Sequence, residues 1–108
     1  MKTNDIYLMY VSWGPGGKKR PILVIDFDKT TVTFYAITSS YQYKSKSVQS
    51  SRYPIKRWAD SGLKKKSYIR VDHLYQSLLE GATVKYVGHL PLTDQQAFLE
   101  FLKDYQSR

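Results

Sequence analysis

Apolar and polar positions along this chain fall into short runs, and most of them carry the signature of strands. Ile6 to Val11 (IYLMYV) is rich in β-branched and aromatic residues and has no helical stripe, which predicts a first strand. Gly14-Pro15-Gly16-Gly17 then predicts an exposed loop. Pro21 to Phe27 (PILVIDF) predicts a second strand with Pro21 at its first position, because proline gives the ladder no N–H donor. Asp28-Lys29-Thr30 makes a turn into a third strand, Val32 to Thr38.

The next stretch changes character. Ser39 to Ser51 alternates Ser, Lys, Gln and Tyr, and its low apolar content predicts a mobile excursion or a ragged edge strand that could order on binding. Tyr53-Pro54-Ile55 reads as a short strand, and Lys56 to Ser61 as one helical turn stopped at Gly62. In Ser67 to Asp72 (SYIRVD) side-chain alternation puts Tyr68, Arg70 and Asp72 on one face and turns Ile69 and Val71 inward. His73 to Glu80 fits the strand and helix periods equally poorly. Val84 to Leu90 reads as the last strand. Thr93 is then the expected N-cap of a helix, with Gln96 completing a capping box and Ala97, Phe98, Phe101, Leu102 and Tyr105 forming one apolar face. Strands at short spacing followed by a terminal helix predict a mainly β (α+β) fold: a small barrel of about five to seven strands, a C-terminal α-helix and one or two short helical turns.

Composition narrows this picture. A chain of 108 residues with 42 % hydrophobic content predicts a single domain, 1–108, around one modest core. No apolar run approaches the ~20 residues of a membrane span, and Met1 to Met9 lacks the basic-then-apolar order of a signal peptide, so a soluble, cytoplasmic protein is expected, with no membrane partner. With no cysteine and two distant histidines, His73 and His89, neither a disulfide framework nor a metal site is expected. The formal charge of +8 resides in the window Lys44 to Arg70, whose nine basic residues face one acid, Asp60. One basic sector on a balanced chain calls for an anionic partner.

The residues also suggest which chemistry such a partner meets. Arg20, reached through Lys18 and Lys19, stands at the head of the second strand, and Thr38, Ser39 and Ser40 stand at the end of the third. A hairpin brings these strand ends side by side, so a planar guanidinium and a hydroxyl cluster can face one phosphate. Tyr41, Tyr43, Tyr53 and Tyr68 lie within the basic sector, where an aromatic ring can stack an unpaired base while Lys64, Lys65 and Lys66 hold phosphates. That interleaving suits single-stranded RNA. Histidine is a common acid–base group, but the alternation turns His73 away from Asp72, and His89 sits in the Gly88-His89-Leu90 segment before the helix.

In order along the chain, Asp5-Ile6-Tyr7-Leu8, Arg20-Pro21 with Ile22-Leu23-Val24-Ile25, Thr38-Ser39, Gly62-Leu63-Lys64 with Ser67-Tyr68, and Gly88-His89-Leu90 resemble the motifs of the MazF/PemK family of toxin endoribonucleases. The resemblance implies an SH3-like barrel, a homodimer, a cognate antitoxin with an acidic segment, and metal-independent cleavage of single-stranded RNA without a cofactor. It implies attack of the ribose 2′-OH on the adjacent phosphorus, leaving 2′,3′-cyclic phosphate and 5′-OH ends. Arg20, Thr38, Arg70 and Asp72 are then the expected catalytic residues, Arg70 and Asp72 resembling the Arg-x-Asp pair of the PemK branch. Lys18, Lys19, Ser39, Ser40, Tyr41, Lys64, Lys65, Lys66 and Tyr68 are the expected RNA-binding residues. The short stretch Trp13 to Lys19 and the segment Ser40 to Lys56 depart from the family pattern, so target sequence and partner contacts do not carry over. A non-catalytic barrel that binds a protein target, similar to the CcdB gyrase inhibitors, and a barrel that binds RNA without cutting it are the competing readings.

Overall fold

A computed structural model describes residues 1–13 and 15–108. Its elements are β1 (Asp5–Trp13), β2 (Gly16–Phe27), β3 (Thr31–Thr38), α1 (Lys46–Gln49), β4 (Arg52–Pro54), a 3-10 turn (Ala59–Ser61), β5 (Tyr68–Arg70), β6 (Tyr75–Leu78), β7 (Val84–His89) and α2 (Leu92–Gln106). The strands form one antiparallel seven-stranded sheet in the order β4-β5-β3-β2-β1-β7, with β6 also paired to β3. This is the mainly β, SH3-like class that the sequence predicts.

The sheet bends because β3 serves two partners. Thr31 to Phe34 pair with β6, whereas Ile37 and Thr38 pair with β5. Register shifts between Val24 and Asp26 and between Ile6 and Tyr7 add to the curvature. Alternate residues of β1, β2 and β3 consequently enter two apolar clusters. One gathers Ile6, Leu23, Tyr35, Ile37, Ile69 and Leu90 beneath α2, and the other gathers Met9, Val11, Ile22, Val24, Val32 and Phe34. The face of α2 expected from its spacing, Ala97, Phe98, Phe101, Leu102 and Tyr105, is the one that packs on the first cluster.

Four local expectations change. Gly14 lies outside the described residues, but Gly16 and Gly17 belong to β2 and pair with Trp13 and Ser12, so most of the expected loop is strand. Pro21 is interior to β2 rather than first in it. It is accommodated because the β2–β3 ladder begins only at Ile22, leaving β1 as the sole ladder partner at that level. The ambiguous His73 to Glu80 stretch forms β6, drawn into strand by the edge that β3 offers. Thr93 and Gln96 make no capping box. The helix starts two residues earlier, with Pro91 at the N-cap and no side-chain cap, while Asp94 in its first turn serves another segment.

Asp94 is 1 % exposed. Its carboxylate accepts hydrogen bonds from the Tyr53 hydroxyl at 2.6 Å and from the backbone N–H groups of Lys56 and Arg57, both at 2.9 Å. Burial and Asp94 together hold the Tyr53 phenol well above the ordinary tyrosine range. This rivet fastens α2 to the turn leading into the 3-10 segment. Gly62 ends that segment at φ +86°, and a Cβ there would collide with the Val87 carbonyl oxygen, so glycine lets the turn press against β7.

Candidate functional site

Where the 18–21 stretch of β2, the end of β3, the 62–67 segment and β7 meet, the surface opens into a cleft of about 580 Å³. Leu8, Pro21, Ile37, Leu63 and Val87 supply apolar lining, while Lys18, Lys19, Arg20, Lys64, Lys65 and Lys85 supply cations and Thr38, Ser39, Ser40 and Ser67 supply hydroxyls. None of the lining residues is acidic. The potential inside therefore attracts anions, and low-dielectric walls strengthen the attraction.

The β2–β3 register brings the two leading candidates together. Ile22 lies opposite Ala36, and two further residues along each strand bring Arg20 level with Thr38. Both line the cleft, as do Lys18, Lys19, Ser39, Ser40, Lys64 and Lys65. The Thr38 hydroxyl oxygen accepts the Ser40 N–H at 3.1 Å, which leaves its own proton to be donated elsewhere.

Arg70, Asp72, Tyr41, Lys66 and Tyr68 lie outside the cleft lining. Arg70 and Asp72 form an ion pair at 3.2 Å, with side chains 26 % and 40 % exposed. Arg70 remains electrostatically linked to Arg20: burial first, and then the charge of Arg70, lower the Arg20 pKa. Tyr41 stacks face to face on Tyr68 at 4.3 Å, and the Lys66 ammonium stands 5.9 Å from the Tyr68 ring. Tyr68 is buried under this stack, so only Tyr41 retains a ring face for another partner. Tyr53, expected to meet bases, is a core residue bound to Asp94. Tyr43 is almost fully exposed.

The histidines are engaged elsewhere. His89 Nδ1 lies 2.8 Å from a carboxylate oxygen of the buried Asp5, and His73 packs edge-on against Tyr75. Among the described residues there is no group of three or more His, Cys, Asp or Glu side chains that could hold a metal ion. Among the described residues no helix is long and apolar enough to cross a membrane.

Two cations escaped sequence reasoning. Lys85 reaches the cleft from β7, far from the basic window, because β7 pairs with β1 at Leu8. Arg52 is opposite Arg70 on the β4–β5 ladder, is buried, and donates from Nη1 to the Ser40 carbonyl. Its pKa is lowered by burial and then by Arg70 and Arg20, with Asp72 opposing them. The sequence signal for Arg52 is faint: it immediately precedes Tyr53, whose ring is core, so alternation alone turns it toward the other face.

No family model and no curated protein matches this chain. Among solved structures, the Mycobacterium tuberculosis toxin MazF-mt6 superposes with a TM-score of 0.69, is 19 % identical, and is covered over 93 % of each chain. The fold is MazF-like. At that identity the likeness speaks for the course of the backbone, so the chemistry has to be read from the side chains. In this MazF-like frame, β2 carries Arg20 in its interior, because the strand begins at Gly16 and not at Pro21, the end of β3 carries Thr38, and both line the cleft with residues of β7.

Proposed function

We propose that this chain is the toxin of a bacterial type II toxin–antitoxin system and acts as an endoribonuclease on single-stranded RNA. The observation that carries the reading is the shared placement of Arg20 and Thr38 in one cation-rich, acid-free cleft on a MazF-like fold. A binder of protein targets has no need of a guanidinium and a hydroxyl brought together in one cleft lined with lysines.

In this reading the cleft seats the scissile phosphate. The 2′-oxygen attacks phosphorus, its proton passes to a base, and the bond to the 5′-oxygen breaks as that oxygen takes up a proton. A cyclic phosphate and a 5′-hydroxyl result. Arg20 stabilises the extra negative charge of the phosphorane, a task for a preorganised, permanently charged donor. Thr38 donates its free hydroxyl proton to a phosphate oxygen. Asp72, oriented by Arg70, is the proposed base. Lys18, Lys19, Lys64 and Lys65 follow the flanking backbone, with Ser39 and Ser40 beside them, and Tyr41, supported by Tyr68 and flanked by Lys66, offers a base its outer face.

A homodimer acting in the cytoplasm and an antitoxin with an acidic segment complete the proposal, since the same positive potential that draws RNA would draw such a segment. The test is purified protein with single-stranded RNA in EDTA. Fragments ending in 2′,3′-cyclic phosphate, absent with Arg20→Ala, support an endoribonuclease. Intact RNA with the wild-type protein overturns it in favour of a binding barrel.

A further inference from the structure

Arg52 combines three properties that are costly together. It is 8 % exposed, it lies directly across the β4–β5 ladder from another arginine, Arg70, and its Nε has no hydrogen-bond partner among the described residues. Like charges set opposite one another on a ladder are unfavourable, and so is a buried donor without an acceptor. Arg20 and Arg70 both act on Arg52 to disfavour its charge, and Asp72 is the one carboxylate that opposes them. Stability alone would place an uncharged side chain there.

What Arg52 does hold is the neck of the long excursion between β3 and β4. Its Nη1 donates to the carbonyl of Ser40, twelve residues earlier, where the chain leaves β3. The Ser40 N–H in turn donates to Thr38 Oγ1 at 3.1 Å. A second latch lies just inside the neck, where Gln49 Nε2 donates to the Tyr41 carbonyl at 2.9 Å. Arg52 thus fixes Ser40 from one side while Ser40 fixes the Thr38 oxygen from the other. Because that oxygen already accepts a hydrogen bond from the Ser40 N–H, the hydroxyl hydrogen is directed toward another acceptor, and Thr38 lines the anion-attracting cleft.

We infer that Arg52 is a positioning residue, a clasp that closes the 41–51 excursion through the Ser40 carbonyl and thereby sets the direction in which Thr38 donates into the cleft. The inference rests on the proposed cleavage reaction for its kinetic consequence, but not for its structural one. A positional error of about 1 Å can cost on the order of a hundredfold in rate. Loss of the clasp should therefore act on kcat rather than on RNA affinity.

The test uses Arg52→Gln and Arg52→Lys in the full chain. In Arg52→Gln, kcat on single-stranded RNA should fall about 10- to 100-fold with KM changed less than about threefold. The glutamine amide can donate but stops short of the Ser40 carbonyl, whereas lysine keeps a donor and most of the reach of arginine and should restore kcat to within about tenfold of wild type. Melting should stay within a few degrees, since either substitution relieves crowding around Arg70 or preserves the contact. Independently of RNA, backbone 15N order parameters of Ser39 to Tyr41 should fall from the rigid range near about 0.85 to below about 0.6 in Arg52→Gln and stay high in Arg52→Lys. Unchanged order parameters overturn the clasp. So does a rise in KM alone with a shallower salt dependence, which would make Arg52 one more cation for RNA. Should Arg52→Gln fail to fold, the order parameters and kcat of Arg52→Lys decide. A wild-type protein that leaves RNA intact removes the nuclease reading, while the order parameters still judge the clasp.

Discussion

Asp94 and Arg52, two of the charged groups buried in this small domain, are held in opposite ways. Asp94 sits under α2 with three hydrogen-bond donors converging on its carboxylate, from Tyr53, Lys56 and Arg57. On the other side of the sheet Arg52 and the half-buried Arg20 crowd Arg70, with Asp72 as the neighbouring carboxylate. The first arrangement satisfies its charge within the chain and reads as architecture. The second leaves positive charge in excess. Lowered arginine pKa values mean that the folded chain holds those charges less comfortably than the unfolded one, so the cluster costs stability at every pH where the arginines are protonated. A buried charge matched by several donors serves the fold, whereas a cluster left with positive charge in excess raises the potential that draws an anion.

This contrast can be broken most decisively at Arg20. Arg20→Ala should lower kcat/KM for RNA by about 10²- to 10³-fold, on the order of 3 to 4 kcal/mol of barrier, with no loss of melting temperature. A variant that melts earlier but cleaves normally would put Arg20 on the architectural side. Asp94→Ala should do the reverse. It strands three donors, one of them a buried phenol, and should destabilise by about 2 to 3 kcal/mol in urea unfolding, leaving the activity of the folded fraction close to wild type.

Ionic strength sharpens the same distinction. If about four phosphates are neutralised by the lysines and arginines, log affinity for single-stranded RNA should fall against log salt with a slope near −3. A flat dependence would mean that the cationic cleft is not where RNA binds. The smallest effect is expected at Asp28, an exposed counterpart of Asp94. It accepts from the N–H groups and hydroxyls of Thr30 and Thr31, which pull its pKa down to about 2. A depressed carboxylate stabilises above its unfolded pKa, here 3.8, and that contribution is lost as the pH falls toward about 2. Asp28→Asn should therefore melt slightly lower than wild type near neutrality and lose less between pH 4 and pH 2, as thermal scans across that range would show.

Local chemistry made much of the fold legible. IYLMYV, PILVIDF and VTFYAIT declare strands by composition, Asp28-Lys29-Thr30 declares the turn, and the spacing of Phe98, Phe101, Leu102 and Tyr105 declares the buried face of α2. The meeting of Arg20 and Thr38 was readable too, because a single hairpin joins their strands and fixes which residues lie level. Thr93 misled because a capping box is a local rule, and the choice of helix start was made by Asp94 binding a turn some 40 residues away. Tyr53 misled for the same reason: a tyrosine in a basic window resembles a stacking platform until its ring is found beneath Phe98 and Phe101.

The sequence by itself determined the first three strands, the hairpin that sets Arg20 beside Thr38, the terminal helix and the sign of the charge. The tertiary structure alone decided that Arg52 faces Arg70, that Lys85 joins the cleft, that Tyr68 lies under Tyr41 and that Asp94 rivets α2. The physical reason is range. Periodicity, turn chemistry and hairpin register act over a few residues and are written in neighbouring letters, whereas pairing of β4 with β5 or β7 with β1 depends on which distant edges remain open once the rest has packed.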